Sequence, residues 1–535
     1  MWKGTDWKML FGIENEYHTN SAYYAGDRFL QLDIPYAIVD GAAEFGGVPD
    51  GGRSHVNLRE LREMENFDAA ARYHEAMIET RRKAGYTGYR MPNRMRIYVD
   101  MLHPEISTAE CTNPRDLLLQ QKASERMIET MRRQATEKLN LGEDPILVCK
   151  NNSSGMKGDD WFGRDVYSSW AMHENYMIPP DLFEEITAGS MKRKRAALWI
   201  AFLVSRIYGG SGKMGSECNM PPCAYQIFQR SDFICRVRSH STIEERGIIN
   251  TRDNPYADHT RFRRLHVICG DALLSPWSIY VTHGVTALFL RMLAEGYPFD
   301  EIAVENPLAA LHAVSRDLTG KERVIRLARS RQDVSALELQ SRFLAAMKHY
   351  IGETGDEVFA DAVRKLEFIL SLFADEPGKL KNYLDFAIKK SYLDILKEGG
   401  SDNDELHLES LEYHNMNPEE GVYLDIERNG FPEGRIAGIG SPEGIVTEEE
   451  ISHAIVHPPT DSRAFFGGEI VRRFPDEVID LTWNALCYTM KKGSRRGSSR
   501  LFLHNPWFGS KDQVLQALEE SGSIRELHLK IKASL

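Results

Sequence analysis

The chain has 535 residues, of which 42% are hydrophobic and 27% are charged, a composition typical of a folded globular protein and not of a disordered one. Asp and Glu outnumber Lys and Arg by 78 to 66, and the net charge of -12 argues against a general nucleic-acid coat protein. The longest apolar run spans residues 196–204. It is too short for a membrane-spanning helix, which needs about 20 residues.

The N-terminal segment and the cysteines predict the cellular location. Residues 1–18 carry carboxylates where a secretory signal peptide needs a continuous apolar run. The seven cysteines are odd in number and show no CxxC spacing, as expected of reduced thiols. We therefore expect a cytoplasmic protein that binds neither a membrane nor nucleic acid.

Three stretches with different patterns follow one another along the chain. Up to about residue 290, short runs rich in Val, Ile, Tyr and Phe alternate with Gly, Pro and Asn and with helical stretches, which predicts mixed α and β structure. From residue 303 to 397, apolar residues recur at steps of three and four and predict helices packed on a core. After Pro458 and Pro459 a basic helix-like stretch and a short α/β segment predict a small C-terminal domain. We place the two domains at residues 1–455 and 456–535.

The first candidate site residues are two acids in the segment GIENEY. Side chains alternate between the faces of a strand, so Glu14 and Glu16 share one face while Ile13 and Tyr17 point to the other. Two acids on one face repel each other, and a divalent cation such as Mg²⁺ would neutralise them. The pair alone is weak evidence, because a solvated edge strand is the simpler explanation of two acids on one face.

A second polar strand face follows in the segment RIYVD. The same alternation places Arg96, Tyr98 and Asp100 together, and Glu105 and Glu110 follow within ten residues of Asp100. Acids that hold metal ions, an arginine that meets phosphate and a free carboxylate are the parts of a metal–phosphate site. A structural salt-bridge network is the alternative explanation.

Later segments add histidines and arginines. His173 lies beside an acid in HENY, and the stretch from Arg230 through Arg252 to His266 is rich in arginine. Such a cluster could bind RNA, but in an acidic chain that also carries the carboxylate strands, binding of nucleotide phosphates is the better explanation.

Several formal motif matches carry little weight. Residues 210–215 fit GxGxxG, yet they follow a helix-like run instead of a strand and do not open a helix. No Walker A motif is present there, because Met214 stands where Ser or Thr is needed. The basic runs 192–195 and 491–500 are typical of solvated surface, with docking of an acidic partner as the alternative.

Taken in order, the motifs resemble the Pup ligase and Pup deamidase/depupylase family of carboxylate-amine ligases. The resemblance spans roughly residues 8–490 and rests on these segments: GIENEY, RIYVDMLHPEISTAEC, KNN (150–152), HENY, QRSDF, RGIINTRDNPYAD, RFRRLHVICGD, LAALHAVSRDLTG and PPTDSRAFFGGE, followed by Trp483.

The resemblance implies an α+β fold with a glutamine-synthetase-like catalytic core, that is, a curved antiparallel sheet with packed helices, plus the small C-terminal domain. It implies ATP or ADP as cofactor together with two Mg²⁺ ions. The matching positions are Glu14, Tyr98 and Glu105 for one ion; Glu16, His173 and His266 for the other; Arg96, Thr108 and Trp483 for the nucleotide; Arg230 and Arg252 for its terminal phosphate; and Asp100 as the catalytic aspartate.

Both family activities use one site, and this chain resembles the hydrolase more. A long segment of 81 residues separates Glu16 from Tyr98, and only two residues separate Asp100 from HPE, as in the depupylase. We therefore expect an amidohydrolase that acts on the C-terminal Gln side chain or the isopeptide bond of a small, acidic, disordered Pup-like tag, with tagged proteins as further partners. The alternatives are a ligase that joins the tag's C-terminal Glu to a target lysine through a γ-glutamyl phosphate, a small-molecule carboxylate-amine ligase, and a non-catalytic nucleotide-binding scaffold.

Three departures from the family pattern lie near elements expected to border the tag. Residues 20–90 do not match the depupylase loop and include a Gly-rich stretch, 41–52, and a charged helix-like run, 58–83. About ten extra residues, with Trp161 and Trp170 among them, lie between Asn152 and His173, and His18 stands where the family usually has Gly. We therefore expect the substrate to be a divergent Pup-like protein or another molecule with a terminal carboxylate or amide.

Overall fold

The computed structural model describes residues 7–21, 33–50, 88–100, 103–141, 146–159, 165–188, 193–492 and 495–532. The helix-like run predicted over residues 58–83 lies outside this part of the chain, as do Trp161 and part of the basic run 491–500. Among the described helices, none is long and apolar enough to cross a membrane.

A seven-stranded sheet is the largest β element of the described chain. In chain order its strands are β1 (Phe11–Glu16), β3 (Val48–Asp50), β4 (Gly88–Arg90), β5 (Arg96–Asp100), β6 (His103–Ser107), β10 (Met172–Ile178) and β15 (Arg263–Val267). They pair in the order β15-β10-β1-β6-β5-β4-β3, and every neighbouring pair is antiparallel. Because β1 lies between β10 and β6, its side chains are neighbours of side chains on both strands.

Smaller sheets account for the other described strands. These are β2 (His18–Asn20), β7 (Leu147–Cys149), β8 (Ser153–Asp159), β9 (Asp165–Ser169), β11 (Lys213–Met214), β12 (Tyr225–Gln226), β13 (Ile234–Ser239), β14 (Arg246–Asn250), β16 (Ile325–Arg326), β17 (Asp333–Val334), β18 (Val478–Leu481), β19 (Ala485–Lys492) and β20 (Arg495–Phe502). The GxGxxG stretch contains β11 and opens no helix, as expected.

Helices pack around the sheet and make the fold α+β. The described α-helices are Asp33–Asp40, Pro114–Lys138, Pro180–Thr187, Lys194–Val204, Pro276–Glu295, Pro307–Arg316, Ala336–Thr354, Glu357–Asp375, Asp385–Glu398, Asn403–Glu412, Val422–Asn429, Glu448–Val456, Arg463–Arg473, Lys511–Glu519 and Ile524–Ile531. The four between Pro307 and Glu398 confirm the helical pattern predicted for residues 303–397.

The local sequence explains how the strands and long helices form. Strand β1 alternates between buried and partly exposed positions, so Ile13 enters the core and Glu14 reaches the open face. The helix Pro114–Lys138 begins at Asn113, whose side chain accepts a hydrogen bond from the backbone N–H of Asp116, with proline in the first turn. The buried side chains of this helix and those on the inner face of the sheet belong to one large hydrophobic core.

Residues near the C-terminus form a second hydrophobic cluster. It contains side chains between Phe465 and Ile531 from the last helices and from β18–β20, together with Val48 of the main sheet. The basic helix-like stretch and the α/β segment predicted after Pro459 are therefore present. The division at residue 456 stays a prediction.

Candidate active site

The register of the central strands places the predicted site residues on one sheet face. Glu14 lies opposite His173 of β10 and Ser107 of β6, whereas Glu16 lies opposite Glu105 of β6. In the next pair, Tyr98 of β5 lies opposite Glu105. Cross-strand neighbours have their Cβ atoms about 5 Å apart, so these side chains meet over the sheet.

The first cluster joins Glu14 to two histidines. The Glu14 carboxylate lies 3.3 Å from Nδ1 of His173 and 3.8 Å from Nε2 of His266, and Nη1 of Arg264 lies 3.5 Å from its other oxygen. Burial raises the pKa of Glu14, but the hydrogen bond with His173 and the charge of Arg264 outweigh it and leave the pKa below its usual value. Burial lowers the pKa of both histidines, which favours neutral imidazoles.

The second cluster contains three acids, Glu16, Asp100 and Glu105. Burial and the charge of Asp100 raise the pKa of Glu16 to about 7. Burial and the charge of Glu14 raise the pKa of Asp100 to about 6. Burial and the neighbouring acids raise the pKa of Glu105 well above its usual value, and a hydrogen bond with Tyr98 only partly offsets them. Crowded acids of this kind need a counter-charge before all of them can ionise.

Each cluster has the donor set of a divalent-cation site. Within each cluster, one ligand atom from every residue lies within 4.8 Å of the others. Buried donor atoms also remain without a hydrogen-bond partner in the described chain, among them Oε2 of Glu105, Nε2 of His173 and both ring nitrogens of His266. A bound cation would satisfy these atoms and neutralise the acids, so the residues present fit a pair of metal ions.

This grouping by proximity differs from the sets expected from the family resemblance. Glu14 lies with the two histidines, and Glu16 lies with Asp100 and Glu105. The expected pairing of Tyr98 with Glu105 is present as a direct contact. The strand order explains the grouping, because β10 and β15 lie on one side of β1 and β6 lies on the other.

A cavity lined by residues of β1, β6 and β10 opens beside the first cluster. Two of the residues expected to contact nucleotide, Thr108 and Trp483, line it, together with Glu14 and Arg264. The guanidinium carbons of Arg90 and Arg94 lie 4.8 and 5.1 Å from the centre of a Trp483 ring. The mostly apolar lining, with Arg264 as a cationic group, suits a ligand that has an apolar ring and an anionic tail.

The third residue expected to contact nucleotide, Arg96, is engaged elsewhere. Its Nε donates to a carboxylate oxygen of Asp50 at 2.6 Å, and its guanidinium carbon lies 3.9 Å from the centre of the Tyr98 ring. Arg96 is not among the residues that line the cavity. It therefore orders the β5 face in this conformation.

The two expected phosphate arginines have different surroundings. Arg230 is fully buried, its Nε and Nη2 have no hydrogen-bond partner in the described regions, and burial together with the charge of Arg246 lowers its pKa to about 10. Arg252 is partly exposed and its Nε donates to the carbonyl of His240 at 3.1 Å. An unpaired buried guanidinium is costly and indicates that an anion completes the site at Arg230.

Sequence reasoning gave no individual role to two arginines that lie in this region. Arg264 contacts Glu14 and lines the cavity, and its place two residues before His266 on β15 could have revealed it through strand alternation. Arg246 is close enough to Glu16 and Arg230 to change their pKa values. Only the tertiary fold brings Arg246 there, since its own strand β14 lies outside the main sheet.

Two clusters of metal-binding side chains, an adjoining cavity and a buried arginine with no ion-pair partner in the described chain define a candidate metal- and phosphate-binding enzyme site. The family model described as Pup-ligase protein matches residues 9–487. The chain therefore belongs to the Pup ligase family, as the sequence resemblance indicated, and it is an enzyme of the Pup ligase/deamidase type.

The chain is similar to relatives with both family activities. It is 31% identical over 530 residues to a depupylase of Acidothermus cellulolyticus, covering 97% of this chain and 98% of the relative. It is 30% identical over 438 residues to a Pup–protein ligase of Acidimicrobium ferrooxidans, covering 80% of this chain and 88% of the relative. Identity alone therefore does not separate hydrolase from ligase.

Solved structures of relatives share the fold. The Pup ligase PafA in complex with ADP has a TM-score of 0.66 at 25% identity, and the match covers 88% of this chain and 95% of that one. PafA in complex with Pup has a TM-score of 0.70 at 23% identity, with 99% and 95% covered. The second likeness shows the fold alone.

Proposed function

We propose that the protein is an ATP- or ADP- and Mg²⁺-dependent amidohydrolase of the Pup deamidase/depupylase type. Its substrate would be the C-terminal Gln side chain or the isopeptide bond of a Pup-like tag. The extent of the match carries this proposal, because the depupylase aligns over 97% of the chain and the ligase over 80%, at nearly equal identity.

The cavity between Thr108 and Trp483 is the proposed nucleotide site. A relative is known in complex with ADP, and the lining of this cavity supports an adenine nucleotide here. The apolar part would hold the base, while Arg264 and the unpaired guanidinium of Arg230 would meet phosphate oxygens. The two clusters around Glu14 and Glu16 would hold the Mg²⁺ ions, which supply charge neutralisation for the crowded phosphates.

Asp100 is the proposed catalytic residue. Its pKa of about 6 leaves most of the carboxylate ionised at neutral pH and still basic enough to accept a proton. Asp100 Oδ1 is buried and has no hydrogen-bond partner in the described chain, so the carboxylate is not fully engaged and would accept a proton from a water molecule that attacks the amide carbon. Asp100 lies with Glu16 and Glu105 in the second cluster, which keeps the reacting carboxylate beside the proposed metal ions.

A Pup-like ligase is the second candidate function. The ligase relative is 30% identical over most of its length, and both functions need the same nucleotide, metal ions and aspartate. In that case Asp100 would deprotonate the target lysine, and the tag's C-terminal Glu would first be phosphorylated.

The remaining parts of the proposal concern partners, location and architecture. We propose a small, acidic, disordered Pup-like tag as partner, supported by a relative known in complex with Pup. A cytoplasmic location follows from that pathway. A glutamine-synthetase-like core over residues 1–455 and a separate domain over 456–535 are supported by the antiparallel sheet and by the second hydrophobic cluster.

Mass spectrometry of the tag separates the two functions. The protein is incubated with a Gln-ended Pup tag, ADP or ATP and Mg²⁺, and in parallel with a Glu-ended tag, ATP and a lysine-containing target. Loss of ammonia from the Gln-ended tag supports the hydrolase, whereas a tag–target conjugate in the second reaction supports the ligase. Absence of both products would overturn the assignment to a Pup-like tag. The partly exposed Asp258 offers a matched control, and Asp258→Asn is expected to act as the unmodified protein does.

A further inference from the structure

Three aromatic side chains form a cluster next to the acids. The rings of His18 and Trp170 lie 4.3 Å apart between centroids, and Nε1 of Trp170 donates a hydrogen bond to Nε2 of His103 at 2.5 Å. The backbone of Trp170 is anchored on both sides by Asn152, at 3.1 and 3.0 Å. The next residue, Ala171, donates its N–H to Glu16 at 2.6 Å, so the cluster borders the acid site directly.

The contact with Trp170 fixes the tautomer of His103. An indole N–H can only donate, so Nε2 of His103 must carry a lone pair and no proton. The remaining ring proton is therefore on Nδ1. Trp170 is only 6% exposed and is packed against His18, so it has little freedom to release this hydrogen bond.

The tautomer leaves a buried donor without an acceptor. Nδ1 of His103 is buried and has no hydrogen-bond partner in the part of the chain that the structure describes. Asp100 lies directly opposite His103 in the register of β5 and β6, so both side chains project from the same face of the sheet. Oδ1 of Asp100 is likewise buried and lacks a partner there. Leaving a buried donor and a buried acceptor unpaired destabilises the protein. One hydrogen bond between these two neighbouring side chains would remove both costs.

We propose that His103 is a positioning residue for Asp100, with Trp170 holding its Nδ1–H ready to donate to Oδ1 of Asp100. Rotation of the Asp100 side chain towards His103 would close this bond. The bond would hold the carboxylate in one orientation towards the attacking water and the substrate. The inference rests on the proposed role of Asp100 in the reaction.

Substitutions of His103 and Trp170 test the hydrogen-bond chain by steady-state kinetics of ammonia release. His103→Leu removes the donor, and we expect kcat to fall about 10- to 100-fold with KM for the tag unchanged, as for other residues that orient a reacting group. His103→Asn places an amide N–H close to the position of Nδ1, and we expect it to recover most of the lost kcat. Trp170→Phe keeps a ring but frees the tautomer, so a smaller loss of kcat is expected.

His528→Leu serves as the control variant, and Asp100→Asn serves as the comparison. His528 also makes a ring-nitrogen contact, with Tyr488 at 2.8 Å in the C-terminal cluster, and His528→Leu should leave kcat unchanged. Wild-type kcat in His103→Leu, or equal losses in His103→Leu and His103→Asn, would overturn the inference. If the His103→Leu variant does not fold, a wild-type kcat in the Trp170→Phe variant would overturn the inference. An active Asp100→Asn would contradict the proposed function itself, whereas an inactive Asp100→Asn beside a fully active His103→Leu would contradict only this inference.

Discussion

Glu14 and Glu16 leave the same face of β1 two residues apart, yet their carboxylates belong to different clusters. Glu14 contacts the histidines of β10 and β15, while Glu16 lies with the acids of β5 and β6. The environments shift the two pKa values in opposite directions, below the usual range for Glu14 and to about 7 for Glu16. One strand thus supplies one carboxylate that stays ionised and one that needs a cation to ionise fully at neutral pH.

The carboxylate of Asp100 is predicted to be required for chemistry and not for nucleotide binding. Asp100→Asn keeps the shape of the side chain but cannot accept a proton as a carboxylate does, so we expect turnover to fall by at least about 100-fold. Because Asp100 does not line the cavity, nucleotide affinity should change little. Tag turnover and nucleotide binding by calorimetry measure the two effects separately, and normal turnover in this variant would refute the assignment.

The raised pKa values in the second cluster predict Mg²⁺ binding that strengthens with pH. Glu16, with a pKa of about 7, is mostly protonated at pH 6 and mostly ionised at pH 8. Metal ions bind the ionised form, so the apparent affinity should rise with pH, by about tenfold per pH unit for each proton displaced. Calorimetry of Mg²⁺ binding in buffers of different ionisation enthalpy measures the proton release.

Glu16→Gln supplies the control for the pH dependence. It removes the carboxylate with the shifted pKa while keeping a group that can accept the N–H of Ala171. We expect weaker Mg²⁺ binding with a smaller slope against pH. A slope as steep as that of the unmodified protein would show that Glu16 does not supply the released proton.

Strand alternation was enough to predict the faces of β1 and β5. A period of two is a local property, so Glu14 with Glu16, and Arg96 with Tyr98, could be placed together from sequence alone. The helices between residues 303 and 397 were predictable for the same reason, since their apolar stripe is local as well.

The partners across the sheet could not be predicted in this way. Which strand lies beside β1, and in which register, depends on long-range packing, and this decides that His173 faces Glu14 and Glu105 faces Glu16. The same limit applies to Trp170 and His103, which are 67 residues apart in the chain. Their contact has no periodic signal in the sequence.

Gly12 is predicted to keep the cavity open for the nucleotide. It lines the cavity on the same face as Glu14, and an added Cβ would lie 3.1 Å from Oγ1 of Thr108. Gly12→Val puts three carbons into that space. We expect nucleotide affinity to fall at least about tenfold, because the added side chain occupies part of the volume proposed for the nucleotide. Gly12→Ala should give a smaller loss, because only Thr108 has to shift.

Calorimetric titration with ADP measures the effect of Gly12 directly. Gly352 provides the comparison, since a Cβ added there meets no atom within 4 Å. Gly352→Val should therefore leave the dissociation constant unchanged. Equal affinities for the Gly12→Val variant and the unmodified protein would place the nucleotide somewhere other than this cavity.

The buried guanidinium of Arg230 is predicted to reduce the stability of the unliganded protein. Its Nε and Nη2 have no hydrogen-bond partner in the described regions, and burial together with Arg246 lowers its pKa to about 10. Replacing an unpaired buried charge with an apolar side chain of similar length removes the desolvation cost. We therefore expect Arg230→Met to raise the free energy of unfolding of the ligand-free protein by about 1–3 kcal/mol. The same variant should lose most of the stabilisation that added nucleotide gives.

Arg463 is the comparison for Arg230, because its side chain is equally buried but has an ion-pair partner and carbonyl acceptors. It forms an ion pair with Glu110 at 2.6 Å and donates to the carbonyls of Tyr256 and Leu503. Removing one partner of a buried pair leaves the other charge uncompensated, so Arg463→Met should lower the free energy of unfolding by about 3–5 kcal/mol. Urea unfolding of both variants, with and without nucleotide, measures the contrast. If Arg230→Met destabilises the ligand-free protein as Arg463→Met does, Arg230 serves the packing of the fold and not the binding of an anion.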